Sequence, residues 1–140
     1  MKKIIFFTLL FLSNTVFAKE LKSENDIRKF SDMFMAYITK EQVSKAFDTA
    51  KPNWPIPKVE IDGLANTVQQ QWPIISNRFG KSIEYEFVRK ERIGKSFLRY
   101  YYLHKFSNHA IYWKIDFYKP NNAWIINTIT FQDNLDILYE

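Results

Sequence analysis

The feature that most constrains this chain is a change of hydrophobic period at Phe79-Gly80. Before that point apolar residues recur every three or four positions, and after it they alternate. A 3.6-residue period lays an apolar stripe along a helix, whereas a two-residue period gives a strand one apolar face. The chain therefore reads as a helical half followed by a strand half. Segregation of this kind implies an α+β fold: three N-terminal helices packed on a curved, four-stranded antiparallel meander.

In the helical half, Ser23 with Asp26 makes a capping box ahead of Ile27, Phe30, Phe34 and Tyr37. Thr39 with Gln42 repeats the pattern before Val43, Ala46, Phe47 and Ala50, and Pro52 ends that stripe. Lys51 to Pro57 reads as a loop. Asp62 is placed to cap a third helix with Leu64, Val68, Trp72, Ile75 and Phe79 on one face and Gly80 at its end. Pro73 should bend or divide it, because its ring frees the carbonyl of Gln69.

In the strand half, four runs are expected near 82–92, 96–106, 110–118 and 124–131. A two-residue turn at Gly94-Lys95 pairs residues whose numbers sum to 189, so Tyr85 faces His104 and Phe87 faces Tyr102. Asn108 suits the second turn, where any two-residue loop gives an odd pairing sum, and Pro120-Asn121-Asn122 suits the third. One face then collects Ile83, Tyr85, Phe87, Leu98, Tyr100, Tyr102, His104, Phe106, Ile111, Trp113, Ile115 and Phe117, and helices must cover it. The other carries Glu84, Glu86, Val88, Lys90, Phe97, Arg99, Tyr101, Leu103, Lys105, Tyr112, Lys114, Asp116 and Tyr118, and is expected to be half wet. In the fourth strand the set Ile125, Asn127, Ile129, Phe131 and the alternate set containing Trp124 both stay open.

Ahead of the helices, Lys2 and Lys3, the apolar run Ile4 to Leu12, and Val16-Phe17-Ala18 form a tripartite leader. The run is shorter than the roughly 20 residues that span a bilayer. The expectation is a signal peptide over 1–18, cleaved before Lys19, and a single exported domain over 19–140, periplasmic or secreted, with no membrane association after cleavage. Without Lys2 and Lys3 the 20 basic residues fall to 18 against 15 acidic ones. That excess is small and scattered, which argues against nucleic acid. Cysteine is absent, excluding disulfides, thiolate metal sites and Cys nucleophiles.

Three helices leading into a curved meander, with Phe79-Gly80 at the junction, Tyr118-Lys119-Pro120 before the last turn and Trp124 opening the last strand, resemble the nuclear transport factor 2-like (cystatin-like) superfamily. The likeness is nearest to its small exported bacterial members without an assigned activity. It implies a cone whose concave sheet and helices enclose a pocket, used in some members for isomerase or dehydratase chemistry and in others for binding or dimerisation. Fold alone decides none of these.

The middle strands place no carboxylate at a pocket position, so the general base that isomerase-type chemistry requires is missing from them. Asp116 is expected to form a surface ion pair near Arg99 or Tyr101, and Glu91, close to the Gly94 turn, a solvated rim. His104 has two readings: a base or ligand-orienting group with Tyr100 and Tyr102 as hydroxyl donors, or a neutral core histidine. His109 falls in a turn. Neither histidine has partners at metal-ligand spacing, so no metal and no cofactor is expected. The expected ligand pocket comprises Tyr37, Tyr85, Tyr100, Tyr102, His104 and Trp113. A dimer or partner face is expected at Phe97, Tyr101, Leu103, Tyr112 and Tyr118, where outward aromatics would otherwise meet water. Binding of a small molecule, peptide or protein partner ranks first, a homodimeric interaction module with a filled core second, and a small lyase, isomerase or hydrolase third.

Overall fold

A computed structural model of the chain describes residues 20–140; the expected leader and Lys19 lie outside the described residues. The elements run α1 (Glu24–Thr39), α2 (Val43–Ala50), α3 (Lys58–Phe79), β1 (Ser82–Ile93), β2 (Phe97–Phe106), β3 (Ala110–Tyr118) and β4 (Ile125–Gln132). The strands form one antiparallel sheet in the order β1-β2-β3-β4, a meander, as the change of period requires. No helix among the described residues is long and apolar enough to cross a membrane.

The capping box at α1 is reciprocal: Ser23 Oγ accepts from the Asp26 N–H at 3.1 Å, and the Asp26 carboxylate accepts from the Ser23 N–H at 3.2 Å. Ile27, Phe30, Phe34, Met35 and Ile38 form its buried stripe. Thr39 does not cap α2. Its hydroxyl donates to the Ala36 carbonyl, and the chain turns through Glu41 at φ 62° into a helix whose first turn has no side-chain cap.

The third helix starts one turn earlier than Asp62 suggests, because Pro57 already holds a φ of −55° that leads directly into a helix. Its buried stripe is Ile61, Ala65, Val68, Trp72, Ile75 and Phe79, which leaves Leu64 on the exposed side. Asp62 instead joins Asp48 around Lys51 Nζ, at 2.6 and 2.7 Å, tying α3 to the end of α2. Pro73 does not divide the helix; it and Gln69 are both exposed, so water can meet the carbonyl that the proline leaves unpaired. Gly80 ends the helix at φ 88° and ψ −154°, a region closed to L side chains.

The sheet keeps the expected faces on its two middle strands and departs from them where strands bulge. Between β2 and β3 the register is unbroken from Phe97↔Tyr118 to Lys105↔Ala110. Between β1 and β2, Tyr85 faces His104 and Phe87 faces Tyr102, but Val88 is an extra residue and the connection from Ile93 to Phe97 is three residues long. A second bulge at Ile83 sends that side chain to the outer side, where it is exposed, and turns Ser82 inward. A third, at Asn127, lets β4 bury residues of both candidate sets: Ile129, with Phe131 half-buried, on one side of it, and Ile126 and Trp124 on the other. Trp124 is fixed by its N–H, which donates to the Leu21 carbonyl at 2.7 Å.

The core fills the concave side. Phe34, Tyr102, Trp113, Ile115 and Phe117 are all at most 1% exposed, with Phe34 set edge-on between Phe47 and Trp113.

Candidate functional site

The six residues expected to line a pocket separate into two groups and an outlier. His104 and Trp113 lie in the packed interior. The Trp113 indole N–H donates to His104 Nδ1 at 3.3 Å, and His104 Nε2 lies 2.7 Å from Ser82 Oγ, which donates to the Thr39 carbonyl at 2.8 Å. Nδ1 accepts, so Nε2 carries the proton and donates to Ser82. Every polar atom of the ring is thereby used, its face packs on Phe106 and Trp72, and burial holds the imidazole down at about 4. This is the neutral core histidine. Ser82 reaches it because of the bulge at Ile83, which no alternation rule anticipates.

Tyr85, Tyr100 and Tyr102 form the second group, joined by Phe87: ring centroids are 5.9 Å apart for Tyr85–Tyr102, 5.4 Å for Phe87–Tyr102 and 5.7 Å for Phe87–Tyr100. Tyr37 sits elsewhere, half-buried against the core about 13 Å further along α1 than Arg28.

The aromatic group meets a charged cluster that the sequence reading missed. Asp32 of α1 accepts from the Tyr102 hydroxyl at 2.8 Å and from Arg28 Nε at 2.9 and 3.0 Å, and the Arg28 guanidinium lies 3.9 Å above the Phe87 ring. Burial and the adjacent Asp32 carboxylate push the Tyr102 phenol far above its ordinary range, so it stays a proton donor. The middle strands place no carboxylate on this side, as expected; the carboxylate comes from a helix, α1. The signal available was the i, i+4 spacing of Arg28 and Asp32 along one border of the apolar stripe.

The Val88 bulge adds the other charges. After it Arg89 pairs with Tyr101 and Lys90 with Tyr100, so Lys90 and Arg92 turn to the concave side and Glu91 to the outer one, the reverse of strict alternation. Lys90 donates to Glu24 at 2.6 Å, and Arg92 bonds the same carboxylate. Glu24, Asn25, Arg28, Phe87, Lys90 and Tyr100 thus line a recess of about 390 Å³ between the start of α1 and the β1–β2 edge. Three cations face two carboxylates there. Both Nη groups of Arg28 and the hydroxyl of Tyr100 have no hydrogen-bond partner among the described residues. Burial raises the Tyr100 phenol, and Lys90, Arg28 and Arg92 oppose that rise.

The outer face differs from expectation. Tyr101 and Tyr112 are 1% and 7% exposed, Phe97 and Leu103 are half-buried, and only Tyr118 stands open, its ring stacked on Phe97. The C-terminal segment beyond β4 adds contacts that strand alternation could not reveal: Arg89, which sits on the Tyr101 ring, donates to the Leu138 and Ile137 carbonyls, and Leu135 and Leu138 border a recess with Val88 and Leu103. Asp116 does pair with Arg99, at 2.8 and 3.0 Å, and accepts from Thr128 at 3.2 Å, but it is buried rather than a surface partner. Glu91 is exposed. No group of three or more His, Asp or Glu residues that could hold a metal occurs among the described residues.

Comparison with protein-family models, with curated proteins and with solved structures finds no match.

Proposed function

We propose that this is an exported binding protein with a nuclear transport factor 2-like cone, and that it holds a small ligand with an anionic group at the mouth of the cone, between α1 and the β1–β2 edge. One observation carries the reading. Unpaired donors of Arg28 and Tyr100 share one recess with the Phe87 ring and an excess of positive charge. Guanidinium and phenol hydroxyl are the groups that hold a carboxylate or phosphate, and the half-buried Phe87 ring, one face of which Arg28 covers, leaves apolar surface beside them for the body of the ligand.

Catalysis is the weaker reading. Asp32 is the one carboxylate placed against a tyrosine there, and it already accepts from Arg28 and Tyr102, so it positions those donors rather than waiting for a proton. The filled interior disfavours a ligand enclosed around His104. The exported half of the proposal rests on the leader sequence, and intact mass of exported chain beginning at Lys19 tests it.

Calorimetric titration with 2-naphthoate and its neutral amide tests the binding half. The acid should bind the wild type at least tenfold tighter than the amide, Arg28→Gln should remove that preference, and Tyr100→Phe should weaken the acid several-fold. Failure of both compounds to bind, or an affinity indifferent to Arg28, would reject the reading.

A further inference from the structure

The charges at the mouth are unevenly committed. Lys90 donates to Glu24 at 2.6 Å and Arg92 bonds the same carboxylate, so these two cations already share an anion. Arg28 gives only its Nε to Asp32, at 2.9 and 3.0 Å, and Asp32 is held in turn by the Tyr102 hydroxyl at 2.8 Å. The Nη groups of Arg28 and the hydroxyl of Tyr100 are the donors left for a ligand. Tyr100 is 3% exposed, and its unpartnered hydroxyl is the polar end that this buried ring brings to the recess.

The geometry of those donors favours a planar acceptor. With Nε occupied, Arg28 meets a ligand end-on through Nη1 and Nη2, whose N–H bonds lie in the guanidinium plane. A carboxylate accepts from such a fork with one oxygen on each nitrogen and keeps lone pairs for the tyrosine hydroxyl.

The net charge decides how much negative charge the recess can take. α1 contributes Glu24, Arg28 and Asp32, and β1 contributes Lys90 and Arg92. The neighbouring phenols of Tyr85, Tyr100 and Tyr102 all have their pKa values raised, chiefly by burial, and stay neutral. Three cations against two carboxylates leave a surplus of one positive charge. Attraction to that surplus grows in proportion to the charge of the ligand, whereas the cost of drawing the ligand out of water grows with its square. A second negative charge therefore adds more desolvation than attraction, beside two carboxylates that repel it.

We infer that the mouth selects organic monocarboxylates and discriminates against dianionic phosphate monoesters of the same body, an inference that rests on the reading of this recess as an anion site. The charge count, rather than the presence of an arginine, sets the preference. Glu24 is then a specificity-determining residue: it occupies Lys90 and Arg92, and it keeps the surplus at one.

Calorimetric titration of the mature chain with 2-naphthoate and 2-naphthyl phosphate tests this, at about pH 8 and about pH 5.5. A phosphate monoester has a second pKa of about 6, so it is a dianion at the first pH and mostly a monoanion at the second, while 2-naphthoate keeps one charge at both. At pH 8 the carboxylate should bind at least tenfold tighter than the phosphate. On moving to pH 5.5 the phosphate should gain at least fivefold relative to 2-naphthoate, which corrects for any change in the protein itself. Glu24→Gln should strengthen the phosphate at pH 8 by a larger factor than it strengthens 2-naphthoate, because a dianion feels the lost negative charge twice. A phosphate that binds as tightly as the carboxylate at pH 8, that weakens on protonation, or that gains no more than 2-naphthoate from Glu24→Gln would overturn the inference and leave the mouth an unselective anion site. Failure of both compounds to bind rejects the anion site itself, and the inference with it.

Discussion

His104 sets a definite pH dependence of stability. Its ring is fully buried and its hydrogen bonds require the neutral form, which holds its pKa at about 4 against an ordinary 6.5. Below 6.5 the unfolded chain takes up a proton on this side chain that the folded chain refuses until about 4, so folding loses stability throughout that window and regains none of it on further acidification. Above pH 6.5 the contribution is whole. At about 1.4 kcal/mol per pH unit, the fall to about 4 corresponds to about 3 kcal/mol. Urea unfolding of the wild type and of His104→Gln, followed between pH 4 and 7.5, measures it. Gln can still accept from Trp113 and donate to Ser82 but does not titrate, so carboxylate effects common to both proteins cancel in the difference. The wild-type curve should fall relative to the variant by about 3 kcal/mol across the window. Parallel curves, or a His104 imidazole that titrates like a free one by NMR, would refute the neutral-network account and the Ile83 bulge that builds it.

Two substitutions test other parts of the structure. Asp116→Asn removes the charge that Arg99 and Thr128 share, and with Asp116 buried and Arg99 partly wet the loss should be about 2 kcal/mol in denaturant unfolding, with Thr128→Val costing less. Gly80→Ala puts a Cβ where the backbone has φ 88° and where Ser107 Oγ would stand 2.0 Å away; a loss of about 2 kcal/mol is expected in thermal or denaturant melts, and Ser107→Ala should restore only part of it because the backbone strain remains.

The degree to which the fold was legible follows from what sets register. Ser107-Asn108 is a two-residue loop flanked by long alternating runs, so parity alone oriented β2 and β3, and His104, Trp113, Tyr100 and Tyr102 all reach the concave side as alternation requires. β1 and β4 are edge strands, and a bulge there costs a single ladder position and leaves no imprint on composition. Three such bulges decide the site: Ile83 delivers Ser82 to His104, Val88 turns Lys90 and Arg92 to the mouth, and Asn127 lets β4 bury Ile126 as well as Ile129. Strand parity carries no information about Asp32, because this carboxylate arrives on α1 with Arg28 one turn away. Tyr101 is covered by the Arg89 guanidinium and packs edge-on against Tyr112, and Arg89 is in turn held by the Leu138 and Ile137 carbonyls beyond the last strand, a tertiary match that no local pattern encodes.

Intermolecular NOEs report directly which side of the fold receives a ligand. In a sample saturated with 2-naphthoate, the naphthyl protons should show NOEs to the ring protons of Phe87 and Tyr100, and the Arg28 guanidinium signals should shift. NOEs to Trp113 or the His104 ring instead, or a saturated complex with none at Phe87 and Tyr100, would contradict binding at the mouth.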